Sequence, residues 1–226
     1  MLRVALTGGV ASGKSAAAGM LRDLGARVSQ SDEVARRLMQ PGQPVFREIV
    51  SRFGTSIVTA DGTLDRKLLG TLAFDGGRIE ELSDIVHPPV IAEQAQWLHQ
   101  VALNSPDAVA VIESALVFET RHAPADSLGG APWHTRFDRI VVVTADLQVR
   151  EERYIQRVVV SSLQTVAEAA ADFRSRAAAQ WTDGQRVSLA DIVLQNDGSL
   201  VELSARVSDL YRMLHEEATD QAAEAM

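Results

Sequence analysis

The clearest chemistry in this chain lies in eight residues near its start, Gly8-Gly9-Val10-Ala11-Ser12-Gly13-Lys14-Ser15. Their spacing is G-x-x-x-x-G-K-[ST], that of a phosphate-binding P-loop. Gly8 and Gly13 let the backbone curl where a Cβ would obstruct it. The curled amides, from Gly8, Gly9, Ala11, Ser12 and Gly13 through to Ala16, then aim N–H donors at an anion, and the start of a helix adds its positive dipole end. Lys14 would set a compact charge against the outer phosphates, and the Ser15 hydroxyl would be a ligand for Mg²⁺. Composition favours this reading. Of 22 basic residues only Lys14 and Lys67 are lysines, so a lysine kept at this one position suggests that a small ammonium is required there. The bland reading is a glycine-rich turn matching by chance. The flanks argue against it: residues 2–7 read as a short buried strand, and 15–24 as a helix with Ala16, Met20, Leu21 and Leu24 at helical spacing.

Other residues with chemical potential stand at the ends of the remaining elements. Asp32 follows a second strand, 25–29, and precedes a helix, 33–39. It is therefore at the carboxyl edge of a strand, where open α/β sheets bind ligands. By itself it reads first as the N-cap of that helix and second as a base. Glu113 closes the apolar strand 109–113 at the same edge, either holding a metal-bound water or facing solvent. Arg153 and Arg157 lie one turn apart on one helix face, which by itself reads as a solvated basic face paired with Glu151 and Glu152. His87 precedes Pro88-Pro89 and by itself reads as structural. Arg36 and Arg66 by themselves read as surface charges.

The elements that must position these residues form an α/β pattern. Strands at 2–7, 25–29, 109–113, 139–143 and 191–194 alternate with helical segments. Between the second and third lies a helical block, about 41–105, with helices at 45–53, 65–74, 79–86 and 90–103. The spacing puts a break at His87-Pro88-Pro89. That block is too long for one crossover, which suggests a small helical subdomain. Residues 126–134 read as an exposed loop, 148–160 and 166–181 as arginine-bearing helices, 196–199 as a turn and 203–214 as a closing helix. The tail from 216 is expected to fray.

Bulk composition narrows the classes. The chain has 226 residues, 46% of them hydrophobic, and a net charge of −8. That length suits one domain with an insertion. The acidic balance argues against nucleic-acid or membrane-surface binding. Without cysteine there is no disulfide framework or thiol nucleophile. No signal peptide or membrane span is read, so a soluble, cytoplasmic, monomeric protein is the expectation.

Taken in order, the motifs resemble the dephospho-CoA kinase family over about residues 3–210. The series is Ala5-Leu6-Thr7-Gly8-Gly9-Val10 with the P-loop, Asp32-Glu33-Val34-Ala35-Arg36, Pro41-Gly42, Phe53-Gly54, Asp61-Gly62-Thr63-Leu64-Asp65-Arg66, His87-Pro88, Ala190-Asp191-Ile192-Val193 and Asn196-Asp197-Gly198-Ser199. The resemblance implies a P-loop NTPase-type three-layer fold with a mostly parallel five-stranded sheet. The core would be about 1–40, 106–146 and 187–215, the helical acceptor subdomain about 41–105 and the lid about 147–186. It implies transfer of the ATP γ-phosphoryl group to the ribose 3′-hydroxyl of dephospho-CoA with Mg²⁺. Asp32 becomes the base, Lys14, Arg153 and Arg157 the charge-neutralising groups, and Arg157 a nucleotide contact. Asp32, Arg36, Arg66, His87 and Glu113 become acceptor-side residues, and Arg186 a weaker candidate.

The chain departs from the family pattern in several places. Gln30-Ser31-Asp32 replaces an Asp-x-Asp pair. Glu113-Ser114-Ala115-Leu116-Val117-Phe118-Glu119 replaces Asp-Ile-Pro-Leu-Leu-Phe-Glu. Arg157-Val158 replaces Arg-Asp, and the segments 120–137 and after 158 are lengthened. These departures motivate a second reading, a nucleotide-binding protein with lost or altered catalysis. Another small-molecule P-loop kinase is a third. A GTPase is disfavoured because Asp126-Ser127-Leu128-Gly129 fits D-x-x-G only within a loop and no N-K-x-D motif exists.

Overall fold

The computed structural model describes residues 1–74, 76–118, 135–162 and 164–224. Five strands form one parallel sheet: β1 (Leu2–Thr7), β2 (Arg27–Gln30), β3 (Val109–Glu113), β4 (Arg139–Thr144) and β5 (Ile192–Gln195), in the order β2-β3-β1-β4-β5. β1 and β3 are buried on both faces, as a central parallel strand must be. Alternation then assigns each side chain to a layer. Val4, Leu6, Val111, Val141 and Val143 face one cluster, which is closed by α1 (Lys14–Asp23) and α9 (Leu200–Glu224) through Ala17, Leu21, Leu203, Val207, Leu210 and Leu214. Ala5, Ile112, Ile140 and Val142 face the other, with Phe118, Phe137, Trp97 and Trp181. The fold is the three-layer P-loop type.

A third cluster lies apart from the sheet. Val45, Ile49 and Phe53 of α3 (Pro44–Phe53) pack with Ile57 and with Leu69 of α4 (Arg66–Phe74). Leu82, Ile85 and Val86 join them from α5 (Ile79–Asn104), which also sends Trp97 and Leu98 to the sheet cluster.

Three element readings are corrected. The break expected at His87-Pro88-Pro89 does not occur: α5 is one helix of 26 residues with both prolines inside it. Proline costs a helix one N–H bond and a clash with the carbonyl four residues back, but its own φ is helical. Here both halves of α5 are held by separate apolar clusters, so tertiary packing overrides the local penalty. The helix expected over 166–181 is α7 (Val166–Ala178), and a further short helix, α8 (Asp183–Val187), follows it. Thr182 starts α8 with a capping box, its hydroxyl accepting from Gln185 N–H while Gln185 Oε1 accepts from Thr182 N–H. The tail expected to fray from 216 is helical through Glu224, tied down by Ala218 in the core and by Glu217 on Arg139 at 2.7 Å. The 126–134 loop and Glu119 lie outside the described residues.

Candidate active site

β1 delivers the chain to the glycine turn at the sheet's carboxyl edge. Gly8, at φ +152°, passes so close to Val143 O that a side chain would collide with it. Gly13 holds the left-handed N-cap of α1 at φ +99°, and a Cβ there would strike the Asn196 carboxamide. That carboxamide donates from Nδ2 to Ser12 O at 2.8 Å. The closing Asn-Asp-Gly-Ser motif thus acts on the loop from across the sheet. Ala11 is the only non-glycine residue with positive φ among those described, at +58°. Ser12 Oγ is buried with no hydrogen-bond partner. An orphaned hydroxyl inside a ring of inward-curled backbone suits an anionic ligand.

Lys14 is half-buried as a residue, but its ammonium is desolvated, and burial holds its pKa below the ordinary lysine value. Glu113 and then Asp32 oppose that shift, while Arg186 and Arg150 add to it. The same charges therefore meet at one place. The ammonium donates to Gly9 O at 3.4 Å. Ser15 and Ala16 are exposed on the first turn of α1, so the hydroxyl is open to a cation. No group of three or more His, Asp or Glu able to hold a metal exists among the described residues. One hydroxyl beside nucleotide oxygens fits Mg²⁺, which keeps most of its water.

The acidic side is built by strand pairing. Gln30 and Glu113 are register partners across β2 and β3, and Gln30 Nε2 donates to Glu113 Oε2 at 3.2 Å. Glu113 is 6% exposed, which excludes the solvent-facing reading. Burial raises its carboxyl pKa above the ordinary range, Lys14 pulls it back, and Asp32 and Glu33 push it up. Asp32 is not the helix cap. Gln30 is the N-cap residue of α2 (Ser31–Leu38), and Asp32 lies exposed in its first turn, where a carboxylate suits the dipole. The helix starts earlier than expected, at Ser31, so Asp32 lies within its first turn, two residues past the end of β2.

The arginines are redistributed. On α6 (Leu147–Ser161), Arg153 donates NH1 to Asn196 O at 2.7 Å and NH2 to Gly198 O at 2.9 Å, so its guanidinium is spent on the turn after β5. Arg157 is exposed, 5.3 Å above the Tyr154 ring. Glu151 pairs with Arg174 of α7 at 2.9 Å rather than with either. The arginine at the P-loop is Arg150, 4% exposed. Its Nε donates to Val10 O at 2.8 Å, NH1 pairs with Asp183, and a Cβ on Gly9 would collide with its guanidinium. Gln180 Oε1 accepts from Val10 N–H at 3.0 Å, so both backbone groups of the loop tip are held, the carbonyl by Arg150 of α6 and the N–H by Gln180 between α7 and α8. Arg186, 1% exposed, donates NH1 to Trp181 O at 2.6 Å and stands 3.5 Å from Asp183.

Arg150, Gln180 and Asp183 were not among the sequence candidates. The available signal was Arg150 four residues before Tyr154, a charge on the face of α6 that is buried. Arg36 and Arg66 are exposed, and no hydrogen bond or ion pair among the described residues joins either to the P-loop. His87 is half-buried in the middle of α5.

A family model described as Dephospho-CoA kinase matches residues 2–202. The chain is 34% identical to the dephospho-CoA kinase of Leifsonia xyli over 93% of its length and 98% of the relative's. It is 36% identical to that of Moorella thermoacetica over 97% and 95%. Among solved structures it is similar to TT1252 from Thermus thermophilus, with TM-score 0.69 and 28% identity, covering 94% of this chain and 97% of that one.

Proposed function

We propose, on the premise that this chain belongs to the dephospho-CoA kinase family, a division of labour for its reaction. That reaction is ATP-dependent phosphorylation of the 3′-hydroxyl of dephospho-CoA, giving coenzyme A and ADP. The P-loop amides from Gly8 to Ala16 bind and orient the triphosphate. Lys14 neutralises charge on its outer phosphates. Mg²⁺, held through Ser15, supplies further neutralisation when bound. Asp32 receives the proton of the attacking hydroxyl. Arg150, fixed by Val10 O and Asp183, takes the place at the phosphates expected of Arg153 and Arg157, with Arg186 behind it. Arg153 instead fixes the Asn196–Gly198 turn that braces the loop.

On this reading residues 41–105 form the acceptor subdomain, with His87 shaping its pocket and Arg36 and Arg66 on its approaches, and 147–186 form the lid. The protein acts as a monomer in the cytoplasm. No helix of the described residues is long and apolar enough to cross a membrane.

The observation that carries the assignment of roles is the convergence on one sheet edge of Lys14 on Gly9 O, Arg150 on Val10 O, and Glu113 held by Gln30 at the paired ends of β2 and β3. The test is ADP release by purified protein with ATP, Mg²⁺ and dephospho-CoA. Release that depends on dephospho-CoA supports the reading. ATP binding without turnover supports the degenerate alternative that Gln30, Ala115 and Val158 motivate. Turnover with adenosine or shikimate alone points to another kinase.

A further inference from the structure

Gln30 stands where the resembled family carries an acidic residue, and the structure gives that departure a physical role. Gln30 and Glu113 are paired in register at the ligand ends of β2 and β3. The Gln30 carboxamide donates to Glu113 Oε2 at 3.2 Å, while its Oε1 accepts from Arg22 NH2 at 3.5 Å. Glu113 and Asp32 both favour the charged Lys14 ammonium against its burial. The groups facing Glu113 are Lys14 of α1, Gln30 of β2, and Asp32 and Glu33 of α2. Arg150 of α6 and Arg186 of α8 stand beyond Lys14. An acidic side chain at position 30 would place another like charge beside a carboxylate that is already buried, and one of them would take up a proton.

We propose that Gln30 is a positioning residue: its amide clamps Glu113, and Glu113 serves as the second carboxylate of the site beside Asp32. With an amide at position 30, the two carboxylates set against Lys14 are Asp32 and Glu113, and the second is held by a neutral donor on the neighbouring strand. The inference rests on the kinase reading, and its test separates the two.

The full chain is assayed for ADP release with ATP, Mg²⁺ and dephospho-CoA from pH 5 to 9, as wild type, Gln30→Ala and Gln30→Glu. Loss of one charge-assisted hydrogen bond in Gln30→Ala lowers kcat about 10-fold, with KM for ATP within about two-fold. Gln30→Glu keeps the shape but adds a like charge, so Glu113 loses its proton only at higher pH, and the acid limb of the rate profile moves up by about one pH unit. A merely structural glutamine leaves that limb in place. An unmoved limb in Gln30→Glu, together with kcat within about two-fold in Gln30→Ala, overturns the inference while leaving the kinase reading intact. If the wild type releases no ADP with dephospho-CoA, the kinase reading fails. The pH dependence of Mg-ATP binding then reads the same clamp: a shift in Gln30→Glu sustains it, and identical curves overturn it.

Discussion

At Asp32 the two roles that its sequence position allowed are separated by one residue of helix. Gln30 is the N-cap, and Asp32 lies exposed in the first turn of α2, so its carboxylate supports the dipole without being consumed by a cap bond. Asp32→Asn keeps the shape and removes the proton acceptor. Turnover is expected to fall about 10²–10⁴-fold while ATP affinity holds, read by single-turnover ADP release against equilibrium nucleotide binding. Undiminished turnover removes Asp32 from the base role.

The arginines make a second contrast at this scale. Arg150 touches the loop tip, and Arg153 touches only carbonyls of the turn after β5. Arg150→Ala is expected to cost about 10²–10³ in kcat with little change in melting temperature beyond that of Arg153→Ala. Arg153→Ala should act mainly on stability, through the loosened turn. The reverse ranking in paired kinetic and melting measurements returns the lid role to Arg153.

Elements reach the site through their ends. α1 finishes in a Schellman turn: Ala26 N–H bonds Leu21 O at 3.0 Å and Gly25 N–H bonds Arg22 O at 3.0 Å, with Gly25 at φ +114°. That turn reverses the chain into β2, whose far end carries Gln30 and leads into Asp32. At the opposite sheet edge Arg3 of β1 meets Asp138 just before β4, with Nε and backbone N–H both donating to Oδ2. Burial raises the Asp138 pKa, but the Arg3 bonds outweigh it and leave it below the ordinary value. A depressed carboxylate stabilises the fold above its unfolded pKa, and that contribution is lost as pH falls through the folded one. Asp138→Asn is therefore expected to cost about 1 kcal/mol at pH 7, a small value because the pair is partly exposed. The gap to wild type should begin to narrow near pH 3.8 and close only when the pH has fallen through the lower folded value. Urea titrations at both pH values check it. A gap that persists in acid would place the loss in packing.

How much of the site was legible divides along these lines. The P-loop, the Asp32 edge and the strand order of events along the chain were readable, because a glycine turn between a strand and a helix is a local pattern. Arg150 was not, since its role comes from Val10 and Asp183, 140 and 33 residues away. The continuity of α5 was not, since proline's local penalty was outweighed by two apolar clusters that only the fold assembles.

On the scale of the whole molecule, the cluster around Ile49, Phe53 and Leu69 is distinct from the two that sandwich the sheet. α5 is the mechanical link, packing on both. Ile49 is fully buried, so Ile49→Ala should cost about 2–5 kcal/mol. If this unit carries the acceptor, the same variant raises KM for dephospho-CoA and leaves nucleotide affinity within about two-fold. Equal loss of both would mean that the cluster supports the sheet as a whole.

The amino-acid sequence by itself determined the phosphate loop, the parallel α/β order and the kinase family, because each is written in short-range spacing that backbone sterics and helix dipoles translate directly. Tertiary structure alone decided which arginine faces the loop, why Gly9 and Gly13 must lack side chains, and how Gln30 meets Glu113. Those are contacts between segments far apart in the chain. Such meetings are fixed by sheet order and register, and no local pattern of residues encodes them.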